Sequence, residues 1–144
     1  MKTWLKILIG LCFAGIVIVV LLIFFIFHKP HPDFENLKAD YTLQAEKLYK
    51  SYMANQTTAN QLYLGKMVEI DGRLSRIEVA DSLVIAVFVF GQGDFGDTGI
   101  RCTMLPKFNE EANKLKPDGT IRIKGYCTGF SGSDVIMEQC SMIY

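Results

Sequence analysis

The hydrophobic pattern of this 144-residue chain changes character twice. From Ile7 to Phe27 it is unbroken, 21 residues with neither charge nor proline. At about 1.5 Å of rise per residue such a helix reaches roughly 31 Å, the hydrocarbon thickness of a bilayer. From Thr42 to Asn55 the spacing is helical: Ala45, Leu48, Tyr49 and Tyr52 fall on one stripe, with Asp40 and Thr42 as candidate caps. A shorter helical piece follows over Thr58 to Leu62. Then the period becomes two. Met67 to Val79 reads as a long first strand bent at Gly72, since a glycine inside a strand marks a bend or bulge. Ser82 to Phe90 and Gly99 to Leu105 are the second and third strands. Lys107 to Leu115 is a short helix after Pro106, and Thr120 to Cys127 and Asp134 to Ile143 are the last strands. Pro117-Asp118-Gly119 predicts a turn with glycine at the positive φ, and Gly129 to Ser133 joins the final hairpin.

Three strands, a helix and two strands, with a long bent first strand, is the order of the OB-fold, a five-stranded Greek-key barrel. The expected fold is therefore mainly β: an OB barrel with a helical lead-in, preceded by one transmembrane helix. The expected segments are an anchor at 1–28, a linker at 29–39, a helical lead-in at 40–63 and the barrel at 64–144.

The flanks of the apolar run set its expected orientation. Lys2, Lys6 and the amino group precede it, and Lys29 follows, so the lysine bias favours a cytoplasmic N-terminus and an extracytoplasmic barrel. A cleaved signal peptide is the second reading, but the run exceeds the ~7–15 residues of a signal core and ends in FFIFHKP without a small-residue site. A lipoprotein processed at Cys12 is the third, and Leu11 is bulky for that role. The anchor reading makes the protein an integral, single-pass membrane protein.

Charge narrows the partners. The chain carries 15 basic and 15 acidic residues; without Lys2, Lys6 and Lys29, residues 33–144 hold 12 basic against 15 acidic. A mildly acidic domain disfavours nucleic acid and anionic lipid as main partners.

The stretches Tyr63-Leu64-Gly65-Lys66, Val68 to Gly72, Arg101 to Met104, Gly119 to Gly129 and Cys140, with a lead-in from Leu48 to Tyr63, resemble the tRNA_anti-like family of OB-fold proteins over roughly residues 40–144. The resemblance implies an OB barrel in bacterial envelope proteins and implies little about activity.

Candidate chemistry is sparse. Gly91-Gln92-Gly93-Asp94-Phe95-Gly96 spells G-x-G-x-x-G, but a strand follows it rather than a helix, so it reads as a flexible loop. Cys102, Cys127 and Cys140 lack C-x₂-C spacing, and both histidines, His28 and His31, precede the folded part, so no metal or other cofactor is expected. Buried free thiols are the leading reading, and Cys102 with Cys140 is the first-ranked disulfide pairing. The folded part has no histidine to serve as general base, so no enzyme activity is expected. Lys66, Arg73, Arg76, Arg122 and Tyr126 are the candidate binding face. The expected function is an envelope interaction module for a protein, peptide or glycan. The alternative is an OB-fold binder of single-stranded nucleic acid, which combines basic groups with stacking rings.

Overall fold

The computed structural model describes residues 2–28 and 33–144. The chain divides after residue 32 into two compact units. The first is α1 (Lys2–Phe27), 26 residues with no buried side chain, long and apolar enough to cross a membrane. Lys29, Pro30, His31 and Pro32, the start of the expected linker, lie outside the described residues. The second unit begins at Asp33, so residues 33–39 of the expected linker are part of it.

That unit is a sheet domain. Its elements run β1 (Tyr41–Gln44), α2 (Ala45–Ala54), α3 (Gln56–Tyr63), β2 (Met67–Arg73), β3 (Arg76–Ala80), β4 (Leu83–Gly93), β5 (Gly96–Met104), a 3₁₀ turn at Pro106–Phe108, α4 (Asn109–Asn113), β6 (Thr120–Phe130) and β7 (Asp134–Ile143). The strand order is β1-β2-β6-β7-β5-β4-β3. β2 and β3 are consecutive in the chain, with only Leu74 and Ser75 between them. They are the two halves of the single bent strand expected over Met67 to Val79. The Leu74 N–H donates to the Gly119 carbonyl on one side, and the Ser75 N–H to the Val87 carbonyl on the other, both at 2.9 Å. The chain itself thus closes the ring that the hydrogen-bond ladder leaves open. β7 pairs parallel to β5 and antiparallel to β6. This is the OB-fold, with α4 in its place between the third and fourth barrel strands.

Several local expectations are corrected. The bend lies at Leu74-Ser75, not at Gly72. Gly72 is required for another reason: a Cβ there would lie 2.8 Å from the Ala45 Cβ of α2 and 3.4 Å from Phe88. The first lead-in helix starts at Ala45, because Tyr41–Gln44 extends to pair parallel with β2. Asp40 therefore caps no helix; its carboxylate accepts the Met67 N–H at 2.9 Å. Asn55 caps α3 through the Thr58 N–H. In the Pro117 turn the positive φ falls on Asp118, not on Gly119. The G-x-G-x-x-G stretch is not a loose loop: β4 and β5 run through it and meet at an Asp94-Phe95 turn.

The core is continuous from the lead-in to the barrel. Leu48, Ile70, Leu74, Phe88, Ile100, Ile123 and Met137 are fully buried, and α2 adds Ala45, Tyr49 and Tyr52. At about 25 cal/mol per Å² of apolar surface, each large side chain contributes on the order of 2 kcal/mol. The α2 tyrosines bury their rings and satisfy their hydroxyls: Tyr49 against Thr98 at 2.7 Å, Tyr52 against the Cys127 sulfur at 3.4 Å.

Candidate functional site

The barrel presents two distinct outer faces. Strand alternation builds the first. Phe88, Ile100 and Cys102 point inward, so Val87 and Arg101 point outward, and register sets Arg76, Val87 and Arg101 in one row across β3, β4 and β5. The charges on this face form a ladder of alternating sign. Arg76 meets Asp97 and Glu78, each at 2.8 Å. Arg101 meets Glu78 at 2.6 Å and Asp134 at 3.3 Å. Gln92 donates to Asp97 at 2.7 Å and steadies one end. At the other end Asp134 accepts the Gly99 N–H at 2.9 Å. Burial raises the Glu78 carboxyl, but the two arginines outweigh it and hold the group below its ordinary value. Between the charges β4 offers Ile85 and Val89, half-buried and aliphatic where base stacking needs rings, while Val87 is buried.

A cleft of about 630 Å³ opens at the end of this face. The β4–β5 hairpin tip, Met53 of α2 and the Gly132-Ser133 loop line it. Phe95 stands fully exposed at the tip.

The second outer face belongs to β2 and β6. Register pairs Met67 with Tyr126, Glu69 with Lys124, and Asp71 with Arg122. Arg122 lies 3.6 Å from Glu69 and 4.0 Å from Asp71. Lys124 is only 8% exposed. The segment that opens the second unit passes over it: Phe34 tilts against Tyr126 with ring centroids 6.1 Å apart, and Lys124 donates to the Glu35 carbonyl at 2.6 Å.

The five candidate face residues are therefore divided. Lys66 lies in the turn entering β2, where its carbonyl accepts the Cys127 N–H at 2.9 Å, whereas Arg122 and Tyr126 lie on the second face. Arg73 ends β2 and pairs with Asp118 at 2.9 Å, largely exposed. Arg76 belongs to the ladder on the first face. Sequence reading missed Arg101, Glu78, Asp97 and Asp134 as one unit. Their alternation in single strands is visible, but which strands neighbour which is a property of topology.

The cysteines converge in the core. Cys102, Cys127 and Cys140 are free and fully buried. Cys102 and Cys127 both lie opposite Met137, and Cys140 lies opposite Met104. Burial pushes the Cys140 thiol well above its usual range, and the adjacent Cys102 adds to the shift. Burial likewise raises Cys127, against the hydrogen bonds from Tyr52 and Gly129. Thiols in that state are poor nucleophiles and poor metal ligands. Among the described residues no group of three or more His, Cys, Asp or Glu side chains is arranged to hold a metal ion.

Comparison with known proteins agrees with the fold. A crystal structure of a "putative nucleic acid-binding lipoprotein" from Klebsiella pneumoniae superposes with a TM-score of 0.54 at 15% identity, covering 81% of this chain and all of that one. The Stn1–Ten1 complex of S. pombe (TM-score 0.37, 11% identity) covers 54% of this chain and 57% of its own. Asparaginyl-tRNA synthetase from Pyrococcus horikoshii (TM-score 0.37, 16% identity) is matched over 56% of this chain but only 19% of the enzyme, so that likeness is partial. No curated protein matches in sequence. The tRNA_anti-like family model matches residues 1–142, and the chain belongs to that family, one of OB-fold binding proteins rather than of enzymes.

Proposed function

We propose that the protein is a membrane-anchored OB-fold binding module whose ligand is a protein, peptide or glycan rather than a nucleic acid. The observation that carries this reading is the ladder on the β3–β4–β5 face. A nucleic-acid groove needs free cations along a backbone track and rings on which bases stack. Here both arginines of the face are already held by Glu78, Asp97 and Asp134, and their neighbours are aliphatic. Two arginines against three carboxylates leave the face acidic, as is the domain as a whole. Counterion release, the main drive for binding polyphosphate, requires the reverse. Anchoring rests on α1, and the lysine bias supports an extracytoplasmic barrel.

Nucleic-acid binding is the second reading, favoured by the description of the Klebsiella neighbour. Titration separates the two. The full chain in nanodiscs of neutral lipid should bind labelled poly-dT and poly-U no more tightly than about 10⁻⁴ M near physiological salt. Micromolar binding with a steep salt slope would reverse the order of the two readings. A reporter active only in the cytoplasm, fused after Tyr144, should be silent; activity there would overturn the orientation.

A further inference from the structure

Lys124 is a buried cation without a counter-charge. It is 8% exposed, and among the described residues no carboxylate lies within salt-bridge distance of its ammonium. Its cross-strand neighbour Glu69 instead faces Arg122 at 3.6 Å. Among the described residues its ammonium has one hydrogen-bond partner, the neutral carbonyl of Glu35 at 2.6 Å. Burying an ammonium is costly unless it is paired, and a methionine would fill the same stem without that cost. The charge therefore serves something other than the fold. The side chain of that same Glu35, its carboxylate, is already held by Lys107. Tyr126 offers a ring, now contacted by Phe34.

The segment lying on this groove is weakly built in. The backbone N–H groups of Asn36 and Leu37 bond to Asp33 within the segment itself, and the first backbone bond to a barrel strand is that of Asp40 to Met67. Phe34 and Glu35 thus cover the groove by side-chain contact, one charge pair and one lysine bond. Such segments open at little free-energy cost compared with ladder strands.

We propose that residues 33–38 are an exchangeable occupant of a carboxylate-binding groove made by Lys107, Lys124 and Tyr126, and that the groove takes an acidic-aromatic peptide segment of a partner protein. The proposal rests on the binding-module reading and names the class of its ligand. A carboxylate delivered to Lys124 would supply the counter-charge that the Glu35 carbonyl does not. A ring beside it would replace Phe34 on Tyr126. The covering segment competes in cis at high effective concentration, so the groove stays closed to weak ligands.

The probe is a labelled peptide of the segment's own sequence, Asp-Phe-Glu-Asn-Leu-Lys, blocked at both ends. It is titrated against the full chain in nanodiscs. A Phe34→Ala, Glu35→Gln double variant should bind it at least about tenfold more tightly than the unaltered chain, since the cis competitor is weakened. Adding Lys124→Met should remove that gain. Failure of the double variant to bind the peptide would overturn the groove and leave the binding-module reading standing. Lys124-dependent micromolar binding of poly-dT in the same variant would overturn both. Hydrogen exchange on the unaltered protein guards against a folding artefact. Amides of residues 33–38 should exchange at least about a hundredfold faster than those of β6. Equal protection would make the segment a fixed part of the fold and end the proposal.

Discussion

Arg101 and Lys124 sit on different outer faces of one barrel and are treated differently. Arg101 is about a third exposed and touches two carboxylates, Glu78 at 2.6 Å and Asp134 at 3.3 Å. Lys124 is more deeply buried and touches a carbonyl. The guanidinium suits the first role, because its planar fork can reach two acceptors at once. The ammonium is a compact point charge on a flexible stem, suited to a partner that changes. The first face is closed electrostatically by its own side chains, and the second is closed by a removable piece of chain.

The largest effect that bears on this contrast is steric. Gly99 pairs with Val89 across β4 and β5, and a Cβ there would fall 1.8 Å from the Phe88 carbonyl oxygen. No rotamer relieves a clash with backbone. Gly99→Val should cost more than about 3 kcal/mol, at the upper end of overpacking, and should dissolve the ladder face along with the hairpin. Chemical denaturation of the second unit's sheet signal measures it. A loss under about 1 kcal/mol would mean that the strands can part there without harm.

The next test sets the two cations against each other. Arg101→Met leaves Asp134 without its arginine and Glu78 with Arg76 alone, in a half-buried setting. Breaking a buried pair costs about 3–5 kcal/mol and an exposed one about 0–1, so about 1–2 kcal/mol is expected here. Lys124→Met removes an unpaired buried charge and keeps the apolar stem, so stability should hold or rise. Melting curves of the two variants decide it. Equal losses would erase the distinction between the faces.

The sequence carried the fold further than the site. Period-two runs located the barrel strands, and the order of strands and helix identified the barrel. Misplaced features were those that tertiary contacts decide. Tyr41–Gln44 looked like the start of a helix, but β2 offers it a free edge, and a short segment follows the available ladder. Gly72 looked like the bend and is instead the floor under Ala45 of α2. Gly99 carried no signal beyond being a glycine, because its need arises from the Phe88 carbonyl, eleven positions away in the chain and next to Val89, its ladder partner. Arg122 and Tyr126 fall on one face because they share the alternation of β6, whereas Arg76 departs because the strand bends just before it. The cover over Lys124 was not legible, since nothing in Ile123-Lys124-Gly125 says that a segment eighty-nine residues earlier will lie on it.

The smallest effect is a pH dependence that belongs to the ladder face alone. Glu78 is held below its ordinary value in the folded state, because the hydrogen bonds and charges of Arg76 and Arg101 outweigh the opposing effect of burial. A carboxyl depressed on folding contributes stability that is fully present above its unfolded value, about 4.3, and is lost as the pH falls through the lower folded value. Acid titration should therefore weaken the domain in the window that begins near that unfolded value and extends below it. Glu78→Gln removes the titrating group. It should lower stability at neutral pH, where the ladder is intact, and flatten the acid limb. A Lys124→Met control deletes no carboxylate and should keep the parent's acid limb while losing nothing at neutral pH. Denaturant midpoints between pH 7 and pH 3 measure both. If Glu78→Gln leaves the acid limb as steep as in the parent, the carboxylates that drive acid unfolding lie elsewhere, and the ladder is a surface feature with little hold on the barrel.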